Sequence, residues 1–140
     1  MISLVEIEFP IEFAIVGTPI SSQGSSRAKK AWKAEVKQAS YAALPEQHIW
    51  YEGEVSVTIY YFPSAPMMGD VDNLIKMTLD ALVGHILKDD RQVTRIVMQK
   101  FEPDSVFAFS KTTDVLAGCL ANEDPSVYVR ISADVHEELR

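Results

Sequence analysis

The chain has 140 residues, 47% of them hydrophobic, with 6 glycines, 7 prolines and a formal net charge of −7. That length and composition fit one domain with its own core and exclude a collagen-like or disordered polymer. Cys119 is the lone cysteine, which excludes an internal disulfide framework and fits a reducing cytoplasm. The first residues reach Glu6, Glu8 and Glu12 with no basic stretch or apolar run before them, so no secretory signal is expected. No segment approaches the roughly 18 apolar residues of a membrane span. A cytoplasmic protein with no membrane partner is expected.

Val5 to Val16 alternates, with Val5, Ile7, Phe9, Ile11 and Phe13 on one side and Glu6, Glu8 and Glu12 on the other. Period-two alternation predicts a half-buried strand, and Pro10 marks a kink or an edge within it. A loop from Gly17 to Ser26 follows, with Ser25 or Ser26 as the cap of a helix from about Arg27 to Ala43. The expected apolar stripe of that helix is Ala28, Ala31, Trp32, Ala39 and Ala42 with Ala43. Lys29, Lys33 and Lys37 recur at i, i+4 and i+8 along one exposed flank.

Pro45 closes that region. Glu54 to Phe62 alternates again, with Val55, Val57, Ile59 and Tyr61 inward, and Pro63-Ser64-Ala65-Pro66 stops the strand. A second helix is expected from Asp72 to Ile86, burying Ile75, Leu79, Leu82 and Ile86. Lys88-Asp89-Asp90 reads as a turn, Gln92 to Phe101 as a strand and Ser126 to Ser132 as the last strand. Between these, residues 102–125 carry weak helical character around Thr113 to Leu120 and look like an insertion, and 133–140 form an acidic, frayed tail. No repeat or linker divides the chain, so residues 1–140 are read as one domain.

Charge is unevenly spread. Arg27, Lys29, Lys30, Lys33 and Lys37 stand against Glu35 alone in residues 27–37, whereas residues 101–140 hold three basic and eight acidic side chains. Nucleic-acid binding by an acidic chain has to be local and salt-dependent, and this basic helix is its candidate surface. The plainer reading is a solvated helix flank.

The densest chemistry lies in Gly69-Asp70-Val71-Asp72-Asn73-Leu74-Ile75-Lys76, followed by Leu87-Lys88-Asp89-Asp90. Carboxylates gathered this way repel one another unless a cation or proton sits between them, and oxygen donors suit Mg²⁺ or Mn²⁺. In extended backbone Asp70 and Asp72 point the same way and can reach one ion. Lys76, one helical turn beyond, can meet the charge of a phosphate, so the pattern suggests metal-assisted phosphodiester chemistry. One geometric difficulty stands out. A helix of fifteen residues is ~22 Å long, so Asp90 meets Asp72 of the same subunit only if the chain after Ile86 runs back or the site uses the strand beginning near Asp89. In the plainer reading Asp72 is an N-cap, Asp70 complements the helix dipole, Asp89 and Asp90 are turn residues, and Lys76 pairs with Asp72 or Asp80. His48, His85, His136 and Cys119 lack zinc-ligand spacing, and Gly17 and Gly24 form no phosphate loop.

The run Asp70-x-Asp72-Asn73-x-x-Lys76-x-x-x-Asp80-Ala81-Leu82, with Leu87-x-Asp89-Asp90-x-x-Val93, resembles the RusA family of Holliday junction resolvases. The resemblance implies an α+β domain, a mixed sheet of four to five strands with two main helices packed on it. It also implies a homodimer that cuts branched DNA at four-way junctions with Mg²⁺. Carried over by motif, the catalytic set is Asp70, Asp72, Asp90 and Lys76, with the three aspartates holding the metal. Asn73 and Asp80 look like site-shaping residues and Asp89 like a secondary ligand. Met67, Met68 and Gly69 stand where well-known members carry basic residues, and Lys29, Lys30, Lys33 and Lys37 are the candidates to replace them. The alternatives are a related nuclease with another DNA or RNA substrate, or a non-catalytic nucleic-acid-binding protein that keeps the fold.

Overall fold

Four strands and three helices alternate in the order β1 (Ile11–Val16), α1 (Ser26–Ala42), β2 (Val55–Phe62), α2 (Val71–Leu82), β3 (Val93–Lys100), α3 (Asp114–Ala121) and β4 (Ser126–Ser132) in a computed structural model. It describes residues 5–19, 24–64 and 71–136, without the side chains of Val71 and Asp72. Asp70, the Met67-Met68-Gly69 run, Ser21 to Gln23 and residues 137–140 of the expected tail lie outside the described residues.

The strands form one mixed sheet in the order β1-β4-β2-β3. β4 is antiparallel to both neighbours, with Phe13 opposite Val129 and Ile59 opposite Val129 from the other side. β2 and β3 are parallel, Val57 opposite Ile96. Since β1 and β2 each oppose β4, β1, β2 and β3 all run the same way. α1 carries the chain from β1 to β2 and α2 from β2 to β3, so each helix runs back against the strands and the two helices lie parallel. Lys33 beside Asp80 at 3.8 Å and Ser40 beside His85 at 2.7 Å fix that alignment. The expected α+β fold, with a mixed sheet of four to five strands and two main helices, is observed with four strands among the described residues, and the weak helical signal around Thr113 to Leu120 is α3.

The core lies between the sheet and α1 with α2. Val55, Val57, Ile59, Val127, Val129 and Ile131 from the sheet meet Trp32, Val36, Leu74, Met77 and Leu82 from the helices, all essentially buried. The helix faces differ from expectation. On α1 the buried line is Trp32, Val36 and Ser40 at four-residue spacing, while Ala31, Ala42 and Ala43 are exposed. On α2 the buried face is Leu74, Met77, Thr78, Ala81 and Leu82, with Ile75 and Leu79 only partly covered. A helix wedged between a sheet and a neighbour buries the side toward both, and the bulkiest β-branched residue need not lie there.

Three boundaries also move. The first strand begins at Ile11, not Val5, because Pro10 offers no N–H to a ladder. Val5 instead bridges to His48, through Val5 N–H to the Gln47 carbonyl and Ile49 N–H to the Val5 carbonyl. α2 stops at Leu82, four residues early, where Gly84 takes φ +101°, a conformation open to glycine, and Ile86 is buried in the turn that follows. Residues 102–125 cover the second face of the sheet: Leu116 and Cys119 of α3 pack on Tyr128, and Phe107 and Phe109 join Tyr60 and Phe101. Glu12 ties this layer down, accepting hydrogen bonds from Tyr128 and from Thr113, the cap of α3.

Candidate functional site

Parallel helices returning over parallel strands give the molecule two unlike ends. At one lie the carboxyl ends of β1, β2 and β3 with the N-termini of α1 and α2; at the other lie the helix C-termini and the start of β3. Ligands of sheets crossed this way gather at the carboxyl ends of the strands, where helix N-termini also favour anions.

Ser25 starts α1 at that first end, its hydroxyl accepting the Ala28 N–H at 3.0 Å. Arg27 and Lys30 are exposed in the opening turns and Lys29 is half-buried. Lys33 lies further along, 3.8 Å from Asp80 of α2, and Lys37 nearer the C-terminus. Asp72 is the second residue of α2 rather than its cap, so its backbone belongs to the same end. Lys76 follows one turn later and is exposed. Asp80 is engaged by Lys33 in an ion pair between the two helices.

Asp89 and Asp90 stand at the opposite end. After Leu82 the chain folds tightly, with Ile86 and Leu87 N–H both donating to the Leu82 carbonyl and Gly84 N–H to the Leu87 carbonyl. Tyr51 N–H donates to the Ile86 carbonyl at 2.7 Å, fixing this turn beside the start of β2. Asp90–Gln92 is a single 3₁₀ turn capped by Asp89. Gln92 donates to the carbonyls of Tyr51 and Gly53 and accepts from the N–H groups of Lys88 and Asp89. From Asp72 to the end of α2 at Leu82 is about 15 Å of helix, which separates Asp72 from this corner. The backbone of Asp72 and the Asp90 turn therefore lie at opposite ends of α2.

Arg91 divides the two adjacent acids by role. Its guanidinium lies 2.9 Å from the Asp89 carboxylate, and with the Arg91 N–H it holds that carboxyl well below the usual range. Asp89 is thus committed to the turn, whereas Asp90 is exposed. Among the described residues no three acidic, histidine or cysteine side chains are grouped for a metal. Asp90 on an anchored turn fits Mg²⁺ as a carboxylate donor, and Asp70 and Asp72 are of the same donor type.

The sequence gives no sign of a histidine cluster beside the Asp90 corner. His85 is buried, stacks on Tyr41 with ring centres 4.3 Å apart, and meets Ser40 through Nε2. His48 reaches the Pro45 carbonyl at 3.0 Å with Nδ1 and the His85 carbonyl at 2.9 Å with Nε2. Both partners only accept, so satisfying both requires a proton on each nitrogen. No spacing rule marks these residues, because they come from α1, a connecting loop and a turn. Gly84, at φ +101°, lets the chain turn and place His85 against Tyr41.

Residues 20–107, more than half of the chain, match the family model described as Endodeoxyribonuclease RusA. The match contains α1, both acidic motifs and Lys76, and stops short of α3 and β4. No curated protein matches the chain.

Proposed function

The chain belongs to the RusA endodeoxyribonuclease family, and from that premise we propose that it is a Mg²⁺-dependent nuclease resolving four-way DNA junctions as a homodimer. The observation that carries this reading is the common end shared by Asp72, Lys76 and the opening turns of α1. The backbone of Asp72 there lies beside two helix N-termini and exposed cations, the surroundings a scissile phosphate requires.

Asp70, Asp72 and Asp90 are the residues proposed to hold the metal. Mg²⁺, when bound, polarises the phosphate and lowers the pKa of a water. Lys76 sits where its ammonium can offset charge growing on the phosphate oxygens. Arg27, Lys29 and Lys30 are proposed to hold the flanking backbone, with Lys33 and Lys37 extending the track along α1. Because Asp90 and Asp72 occupy opposite ends of one chain, the proposed centre combines Asp70, Asp72 and Lys76 of one protomer with Asp90 of the other. Two such centres related by a twofold axis suit a substrate with paired, symmetric scissile strands.

The test is cleavage of a labelled synthetic four-way junction in Mg²⁺, against duplex, fork and single strand, beside Asp72→Asn. Paired symmetric nicks on the junction alone, absent in the variant, are expected. Cuts spread over other substrates would remove the junction preference, and junction binding without any cleavage would favour a non-catalytic role.

A further inference from the structure

Asp90 lies in a turn that apolar packing does not hold. Asp90–Gln92 is three residues long and buries no side chain. A single helical turn is unfavourable by itself, because it fixes several backbone angles for one hydrogen bond. The neighbouring ladder does not supply the missing restraint. Pairing of β2 with β3 shifts register between Val55 and Ser56, at the end where the turn enters β3. The backbone that carries the Asp90 carboxylate is therefore fixed by other means.

The Gln92 side chain supplies them with all four hydrogen-bonding positions of its amide. Nε2 donates to the Tyr51 carbonyl at 2.6 Å and to the Gly53 carbonyl at 3.0 Å. Oε1 accepts from the Lys88 and Asp89 N–H groups at 2.8 and 2.9 Å. The amide cannot be turned over, because its N–H groups would then face two N–H donors and its oxygen two carbonyls. Gln92 thus ties the residues just before Asp90 to the segment leading into β2. Asp90 is also held from both sides through the backbone. The Asp89 carbonyl accepts from Gln92 N–H at 3.2 Å, and the Asp90 carbonyl accepts from Val93 N–H. Asp90 is exposed on this clamped turn, so its carboxylate has little backbone freedom left to lose on binding an ion.

We propose that Gln92 is the positioning residue of the Asp90 carboxylate, raising metal affinity by clamping the turn to the Tyr51 and Gly53 carbonyls. This deepens the proposed function and rests on its assignment of Asp90 as a metal donor. It does not depend on which chain supplies the other donors. Groups that orient a metal donor without touching the ion change affinity about 10–100-fold when removed. Gln92→Met keeps the length and much of the volume of the side chain and loses all four bonds.

Mn²⁺ binding to the full chain without DNA, read from the electron paramagnetic resonance of the free ion, tests it. Wild type is expected to bind Mn²⁺, and Asp90→Asn to lose most of that affinity. Gln92→Met should weaken binding about 10-fold or more. The Lys88 and Asp89 amides, deprived of Oε1, should exchange their hydrogens faster in the same variant. In junction cleavage the Mg²⁺ concentration for half-maximal rate should rise by the same factor, with little change in the rate at saturating Mg²⁺. Thr113→Ala, which removes the cap of α3 in the other layer, is the comparator for a loss of stability alone and should leave Mn²⁺ affinity unchanged. Gln92→Asn, one methylene too short to span both pairs of partners, replaces Gln92→Met should that variant fold poorly by circular dichroism. Wild-type affinity in the Gln92 variants, with Asp90→Asn defective, would overturn the positioning role alone. So would a loss in Thr113→Ala equal to that in Gln92→Met. A wild type that takes up no Mn²⁺, or full binding by Asp90→Asn, would overturn the assignment of Asp90 as a donor, and the role of Gln92 with it.

Discussion

Ser40 Oγ lies 2.7 Å from His85 Nε2, and the direction of that bond fixes the tautomer of a buried histidine. The single hydroxyl proton of Ser40 is given to the Lys37 carbonyl at 2.6 Å. Ser40 can therefore only accept from the ring, so the proton sits on Nε2 and Nδ1 is a bare acceptor. Burial, with Lys37 and then His48 adding like charge, pushes the His85 pKa down to about 4.

A pH dependence follows from that depression. The unfolded ring takes up a proton near pH 6.5, whereas the folded one resists until about pH 4. The contribution is whole above pH 6.5, declines as pH falls through this window and is gone below about pH 4, amounting to about 3 kcal/mol. Melting temperature measured from pH 8 to 4 should fall along this limb, and His85→Phe should flatten it. Ser40→Ala should cost about 1–2 kcal/mol at neutral pH, by leaving the Nε2 proton unpaired.

The two acids of the Asp89-Asp90 pair should separate in their effects. Asp89→Ala removes the cap of the 3₁₀ turn and is expected to lower the melting temperature. Asp90→Asn should leave melting nearly unchanged and lower junction cleavage by about 100-fold or more. Equal losses of stability in both variants would contradict the division of labour.

A mixing experiment reads whether the centre is shared. Asp72→Asn and Asp90→Asn are each expected to be inactive as pure dimers. In a mixed dimer, one centre draws Asp70 and Asp72 from one chain and Asp90 from the other with every aspartate intact. Single-strand nicking that appears only on mixing is expected. Its absence, with heterodimers verified by mass, would place each centre within one protomer.

Lys33 and Asp80 are both more than a third exposed, so their ion pair is worth only a few tenths of a kcal/mol. Asp80→Asn should hardly move the melting temperature. Lys33→Glu with Lys30→Glu should weaken junction binding and flatten its salt dependence, read by titration at several salt concentrations.

β2, β3 and β4 were readable to within one residue or two, and the alternation along β2 and β4 was visible even though residues 102–125 bury the second face of those strands as well. The ends of α1 and α2 were set by Ser25 and by the positive φ of Gly84, and only the first is a recognisable signal. The buried face of α2 was misread because two surfaces, the sheet and α1, compete for it. That brings Met77 and Thr78 inward at the expense of Ile75 and Leu79. Asp72, Lys76 and Asp90 could be picked out by motif. Their separation by the length of α2 was legible from helix rise, but which end of the sheet each one occupies depends on which way α2 crosses β2 and β3.

β4 has a consequence for how the protein is made. Among the described residues it is the one strand paired with β1, and it joins β1 to β2, so residues 11–16 and 126–132 must meet before the sheet is continuous. A nascent chain that has cleared the ribosome only through residue 107 can pair β2 with β3, but β1 has nothing to pair with. The family-matched segment, residues 20–107, holds only the β2-β3 pair of this sheet, and β1 and β4 lie on either side of it in the sequence. Folding of this protein is expected to wait for residue 132, with the β1 edge needing protection from aggregation until then.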